Sequence, residues 1–189
     1  MSAGLVAAVV VAAVLGAFTW SFFEYVIHRW LGHDRRFRGN PFGREHLRHH
    51  VEGDYFAPAY KKLVFAALAT AALGVPAVVL GGVLGVAGVA GFVGFYAAYE
   101  VLHRREHTHA GIGRYGRWAR GHHFHHHFVD GRTNHGVTSP LWDLMFGTYR
   151  RPAVIPVPPK LCMTWLRDGD TGGIRAEHAG RFVLRDTRR

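Results

Sequence analysis

Apolar and polar positions along this chain are sorted into blocks rather than mixed. Residues 1–23 carry no charged side chain, and residues 63–99 carry none over 37 consecutive positions. Crossing a hydrocarbon core takes about 20 apolar residues in a helix. Residues 3–27 supply one such helix, with Trp20, Phe22, Phe23 and Tyr25 near its end as an aromatic belt. A cleaved signal peptide fits poorly, because the start has no basic region and the apolar run is too long. The 63–99 block exceeds one span and is interrupted by Gly81-Gly82. That divides it into helices at 63–80 and 83–102 joined by a tight turn, with Pro76 kinking the first. Glycines at 82, 85, 88, 91 and 94 leave little side-chain bulk, which suits close helix packing.

About three spans put residues 28–62 and 103–189 on one face of the membrane. Both stretches hold Lys and Arg, so the positive-inside rule assigns them to the cytoplasm. The N-terminus and the Gly81-Gly82 tip then lie outside. Residues 1–150 are expected to form a membrane-embedded domain, and 151–189 a cytoplasmic tail. That tail is rich in proline and sustains no helix or strand period. Trp165 is its expected anchor, and Arg185 to Arg189 form a basic end suited to anionic lipid.

The 23 Lys and Arg against 13 Asp and Glu give a formal charge of +10. In a soluble protein that balance suggests nucleic acid. Here the basic residues are what remains once two apolar blocks are set aside, so membrane topology explains the charge and no nucleic-acid partner is expected. The single cysteine, Cys162, excludes an internal disulfide and a cysteine-based zinc or iron–sulfur site.

Histidine changes the picture most. There are 15, and all but His178 lie between positions 28 and 135. Twelve of them fall in four clusters: His28 and His33; His46, His49 and His50; His103 and His107; and the run from His122 to His127. On a helix, positions i, i+3 and i+4 share a face. His46/His49/His50 and His123/His126/His127 have that spacing, and His103/His107 are at i, i+4. His28 and His33, at i, i+5, would point apart on an unbroken helix; a glycine cap at Gly32 would let His33 curl back. His122, His125 and His126 form an overlapping frame that spacing alone does not exclude.

A lone His-x3-His pair is usually surface decoration, but two triplets in one short chain are hard to ascribe to chance. An expression tag would be terminal and uninterrupted, and the 122–127 run is neither. Ten imidazoles suit two metal ions with about five nitrogens each. Imidazole ligands favour Zn, Cu, Fe or Ni. Zinc would give a structural or hydrolytic site, whereas a pair of irons could activate O2 against a lipid C–H bond. His109, His135 and His178 read as polar surface or substrate-mouth residues. Glu24, Glu100 and Asp143 are placed to orient ligand imidazoles through their second nitrogen; the alternative for each is a buried acid satisfied by an arginine.

The segments Glu24-Tyr-Val-Ile-His-Arg-Trp-Leu-Gly-His33, His46-x2-His-His50, Tyr99-Glu-Val-Leu-His103-x3-His107 and His123-x2-His-His127 resemble the fatty acid hydroxylase/sterol desaturase superfamily. With Gly136-Val-Thr-Ser and Trp142-Asp-Leu-Met-Phe-Gly-Thr148 they are most similar to its fatty acid 2-hydroxylase branch, over roughly residues 20–150. The resemblance selects the frame His123, His126 and His127, because an aromatic (Phe128) follows the final triplet. It implies an all-α integral membrane protein whose cytoplasmic helical cap holds an all-histidine dimetal site. It also implies a non-haem di-iron monooxygenase that inserts one oxygen of O2 into an acyl chain drawn from the bilayer, with zinc able to replace iron. Two departures stand out. No cytochrome b5 domain fits in this chain, so electrons are expected from a separate donor of cytochrome b5, ferredoxin or reductase type. The stretch after His50 also lacks the family's Pro-Pro run, which bears on substrate entry.

A lipid or sterol desaturase shares the same metal chemistry. A structural zinc membrane protein without turnover uses the same ligands. A metal transporter or b-type cytochrome would need histidines within the spans, where there are none.

Overall fold

The computed structural model describes residues 1–37, 39–111, 113–151 and 153–186. Pro152 and residues 187–189 of the basic end lie outside the described residues. The helices are α1 (Ala3–Val26), α2 (Pro41–Glu52), α3 (Ala59–Ala69), α4 (Val75–Thr108), α5 (Gly113–Phe128) and α6 (Leu141–Met145). Two three-residue strands follow, β1 (Ile155–Val157) and β2 (Phe182–Leu184). The chain forms two compact units, one from residues 1–24 and 57–100, the other from 25–56 and 101–189.

The first unit is apolar helix. Two continuous helical stretches, Ala3–His33 and Ala59–Thr108, are long and apolar enough to cross a membrane, with mean hydropathies of 2.2 and 2.4. Val10, Val14, Leu15, Val79 and Leu80 are exposed on them, which suits a lipid surround better than water. The 50-residue stretch turns back at Gly82, whose backbone (φ 53°, ψ −128°) is open only to glycine. Beyond the turn, a Cβ on Gly85 would sit 2.0 Å from the Ala77 carbonyl oxygen. Cβ atoms on Gly16 and Gly91 would sit 1.9 Å from the carbonyls of Gly88 and Ala13, so α1 crosses α4 backbone to backbone. The glycines thus divide their work: 82 turns the chain, 85 and 91 permit contact, and a Cβ on Gly94 would meet nothing within 4 Å among the described residues. A π-helical turn at Thr70–Gly74 precedes Pro76 and absorbs the break that this proline imposes. Trp20 packs against Phe92 and Tyr96 at the crossing, with ring centroids 5.2 and 4.7 Å apart.

The second unit combines polar helices with a small sheet. Asn40 caps α2 by accepting the Gly43 N–H, Pro41 opens the helix, and Gly53 at φ 73° ends it. β1 and β2 pair in parallel with Ile155 opposite Phe182, a feature the all-α expectation did not include. Three-residue strands are too short to show an alternating pattern, and Pro156 interrupts the one at β1. Their side chains form a core with helix α5: Phe124, Phe128, Ile155, Val157, Leu166 and Phe182. That cluster runs across the boundary expected at residue 150. Trp165 packs on it and donates its indole N–H to the His107 carbonyl at 2.9 Å.

Candidate metal centre

The four histidine segments converge within the second unit. His28, His33, His46, His50 and His126 form one group, and His49, His103, His107, His123 and His127 another. Within each group, one nitrogen per ring lies within 4.8 Å of the others. The two groups touch where His50 and His127 stack at 3.9 Å.

Each helical triplet is split between the groups. Helix α2 sends His46 and His50 to the first and His49 to the second; α5 sends His126 to the first and His123 and His127 to the second. His28 and His33 arrive by a route the sequence did not suggest. The helix does not stop at Gly32; it continues as a π-helix over Ile27–His33. A π turn, bonded i to i+5, brings positions five apart onto one side. Gly32 serves contact instead, since a Cβ there would lie 2.9 Å from the His46 ring.

Backbone carbonyls fix three of the rings. The Nδ1–H of His28 donates to His135 O at 2.5 Å, that of His126 to Thr133 O at 2.7 Å, and that of His49 to Tyr55 O at 2.6 Å. Each ring is thereby held with its Nε2 lone pair facing inward. His33 Nε2 lies 2.8 Å from both His46 Nε2 and His126 Nε2, and His46 Nε2 lies 3.0 Å from His50 Nε2. One ring proton cannot satisfy several converging nitrogens. His28 Nε2 and both ring nitrogens of His127 are buried with no hydrogen-bond partner among the described residues. A cation at each group would satisfy these lone pairs, and the donor set is of the kind that imidazole-preferring metals take. Burial, followed by the neighbouring imidazoles, holds the pKa values of His46, His50, His123, His126 and His127 well below 6.5, which keeps their lone pairs available.

The acids behave differently from one another. Asp143 is fully buried and accepts the N–H groups of His135 and Gly136 (both 2.8 Å), the Thr148 hydroxyl (2.7 Å) and His122 Nε2–H (3.2 Å). Burial would raise its pKa, but these hydrogen bonds outweigh that and hold it below the usual range. It therefore acts through the loop whose His135 carbonyl grips His28. Glu100 forms an ion pair with Lys62. Glu24 is buried, and the Nδ1 of the nearby His28 is bonded to His135 O.

His122 turns away from both groups, stacking with Trp118 and Tyr149, so the His123/His126/His127 frame faces the centre. His109 is exposed, His125 and His178 are half-buried, and His135, expected at the surface or the substrate mouth, is buried against the rings of His28, His33 and His126. Hydrogen-bonding partners more than a hundred residues apart leave no local spacing signal for that role.

Two further residues belong to the site. Asn134, at φ 55°, turns the backbone between Thr133 and His135, the two residues whose carbonyls hold His126 and His28. Glu106 is buried with its Oε2 4.0 Å from His123 Nε2; its place three residues after His103 and one before His107 was the available signal.

The sequence profile of the family described as fatty acid hydroxylase matches residues 13–148. The chain belongs to that family. It is 31% identical over 157 residues to the dihydroceramide fatty acyl 2-hydroxylase FAH1 of Arabidopsis thaliana, covering 74% of this chain and 61% of that one. It is 30% identical over 146 residues to the ceramide very long chain fatty acid hydroxylase scs7 of Schizosaccharomyces pombe, covering 71% and 41%. Among solved structures, it is similar to full-length scs7p with only the hydroxylase domain visible. The TM-score is 0.56 at 28% identity, over 76% of this chain and 58% of that one. This fatty acid hydroxylase family chain therefore spans roughly four- to six-tenths of the relatives it matches.

Proposed function

We propose that this chain is a membrane-bound oxygenase that hydroxylates a lipid acyl chain, using two iron ions, O2 and electrons from a separate carrier. The observation that carries the reading is the convergence of ten imidazoles, from four distant segments, into two adjoining groups of five. The hydroxylase relatives support the reaction class, and the curated names support a fatty acyl or ceramide-type substrate. In this reading the ten histidines are the metal ligands. The apolar helices cross the bilayer three times, with Gly82 at the turn, and the arginine-rich unit faces the cytoplasm.

Iron at such a site would supply the oxidant that attacks an unactivated C–H bond. The protein's own contribution is position and exclusion of water. His135 O, Thr133 O and Tyr55 O fix the tautomers of His28, His126 and His49. Phe56 and Phe124 flank the second group, with ring centroids 5.2 Å from His49 and 5.1 Å from His107, and lower the local polarity.

The test compares lipid mass profiles of cells expressing wild type and His126→Ala. A lipid class that gains one oxygen atom only with wild type supports the proposal and names the substrate. Loss of two hydrogens from a lipid instead makes the chain a desaturase. No change, with iron loaded and a reductant supplied, leaves the histidines a structural metal site and overturns the oxygenase reading.

A further inference from the structure

Apart from the histidine groups, the second unit has a surface concavity of about 430 Å³ ringed by Arg114, Arg117, Arg151 and Arg181. All four arginines are exposed, and no acidic residue lines the concavity among the described residues. Arg181 also donates to the Arg117 carbonyl at 3.5 Å, which ties the β2 end of the ring to α5. Trp118 and Tyr149 line its wall, and both stack with the buried His122, at centroid distances of 5.1 and 5.6 Å.

From His122 the contacts run on without a gap. Its Nε2–H donates to Asp143, Asp143 accepts the His135 N–H, and the His135 carbonyl accepts the Nδ1–H of His28. The concavity is thus the outer end of a path of stacked rings and short hydrogen bonds that ends on a histidine of the first group.

We infer that this arginine-ringed concavity is the docking face for an acidic one-electron carrier protein, and that electrons enter by Trp118 and His122 towards His28. The inference rests on the oxygenase reading, which requires an external reductant. Clustered, exposed guanidinium groups attract a carboxylate-rich face and raise the association rate. Electron transfer falls steeply with distance, so a carrier does best where aromatic rings lead inward. Each docking oxidises the carrier by one electron. Two dockings supply the two electrons that, with two protons and O2, convert C–H to C–OH and release one water.

The experiment uses the full chain, loaded with iron, in phosphatidylcholine nanodiscs, and a reduced acidic [2Fe–2S] ferredoxin as probe. Arg114→Glu/Arg117→Glu is expected to slow ferredoxin oxidation by about tenfold or more at low salt. The wild-type rate should fall with added KCl and the variant's should not. Hydroxylation driven by dithionite, which needs no docking face, should be the same in both. Trp118→Leu should slow oxidation at saturating ferredoxin while leaving ferredoxin binding intact. A wild-type ferredoxin rate in the charge-reversed chain, or a wild-type rate indifferent to salt, overturns the docking face. So does a variant that loses only its binding to phosphatidylserine vesicles, which makes the ring a lipid-headgroup site. If the charge-reversed chain loses metal, Arg114→Gln/Arg117→Gln and the wild-type salt series decide in its place. Failure of dithionite to drive hydroxylation in wild type sinks the oxygenase reading, and salt-dependent ferredoxin binding then judges the docking face separately.

Discussion

Asp143 shows how a residue acts on a site it does not touch. Its four hydrogen bonds hold the loop from which the His135 carbonyl grips His28. Asp143→Asn keeps one acceptor and turns an amide NH2 on donors that need an acceptor. The expected cost is about 2–4 kcal/mol of stability and a roughly 10–100-fold loss of metal affinity, read by thermal melting and metal analysis. Asp130→Asn, which releases only the exposed Arg132, is the control and should retain full metal. Protonation gives a second prediction at this scale. Burial first, then neighbouring imidazoles, keeps His46, His50, His123, His126 and His127 neutral well below 6.5, the value at which an unfolded chain titrates. Below 6.5 the unfolded chain therefore binds more protons than the folded one, and stability falls with pH; above it both are neutral. The melting temperature of the metal-free protein should be flat from about pH 8 to 7 and decline below 6.5. A rise on acidification would refute the neutral state of these rings.

At the scale of elements, periodicity found the helices but not how they share their ligands. The i, i+3, i+4 rule places His46, His49 and His50 on one face of α2, yet that face straddles two groups, and neighbouring positions diverge enough to serve both. The π turn at Ile27–His33 was not legible either, because its sequence is compatible with an α-helix until His33 has a partner to reach. Gly32 marks the same limit: it looks like a terminator but is small because His46 lies against it. Gly32→Ala keeps helix-forming ability and places a methyl 2.9 Å from His46 Cδ2. It is expected to deplete metal from the first group and spare the second, so about half the bound metal should be lost. Full occupancy in metal analysis would show that the π segment gives way without cost.

For the molecule as a whole, the C-terminal residues matter because helix α5 has two opposed duties. His123, His126 and His127 face the centre, while Phe124 and Phe128 sit in a core completed by Ile155, Val157, Leu166 and Phe182. Phe182→Ala removes a buried ring from that core and should cost about 3–5 kcal/mol. Because α5 carries histidines of both groups, metal should be lost from both, in contrast to Gly32→Ala. Val183→Ala, on the exposed side of the same strand, should melt like wild type. Unchanged metal content in Phe182→Ala would mean that the sheet is not what holds α5.

The sequence by itself determined the apolar blocks, the turn at Gly81-Gly82, the four histidine clusters and, through the resemblance, the family, because charge exclusion, glycine and histidine spacing are local signals carried by side-chain identity. The tertiary structure decided which histidine joins which group, the burial of His135, the carbonyls that fix the rings, the place of Glu106, and the strand pair beneath α5. Those depend on contacts between residues such as His28 and His135, 107 positions apart. A carbonyl is present at every residue, so nothing in the sequence marks which one will meet an imidazole until the chain has folded around it.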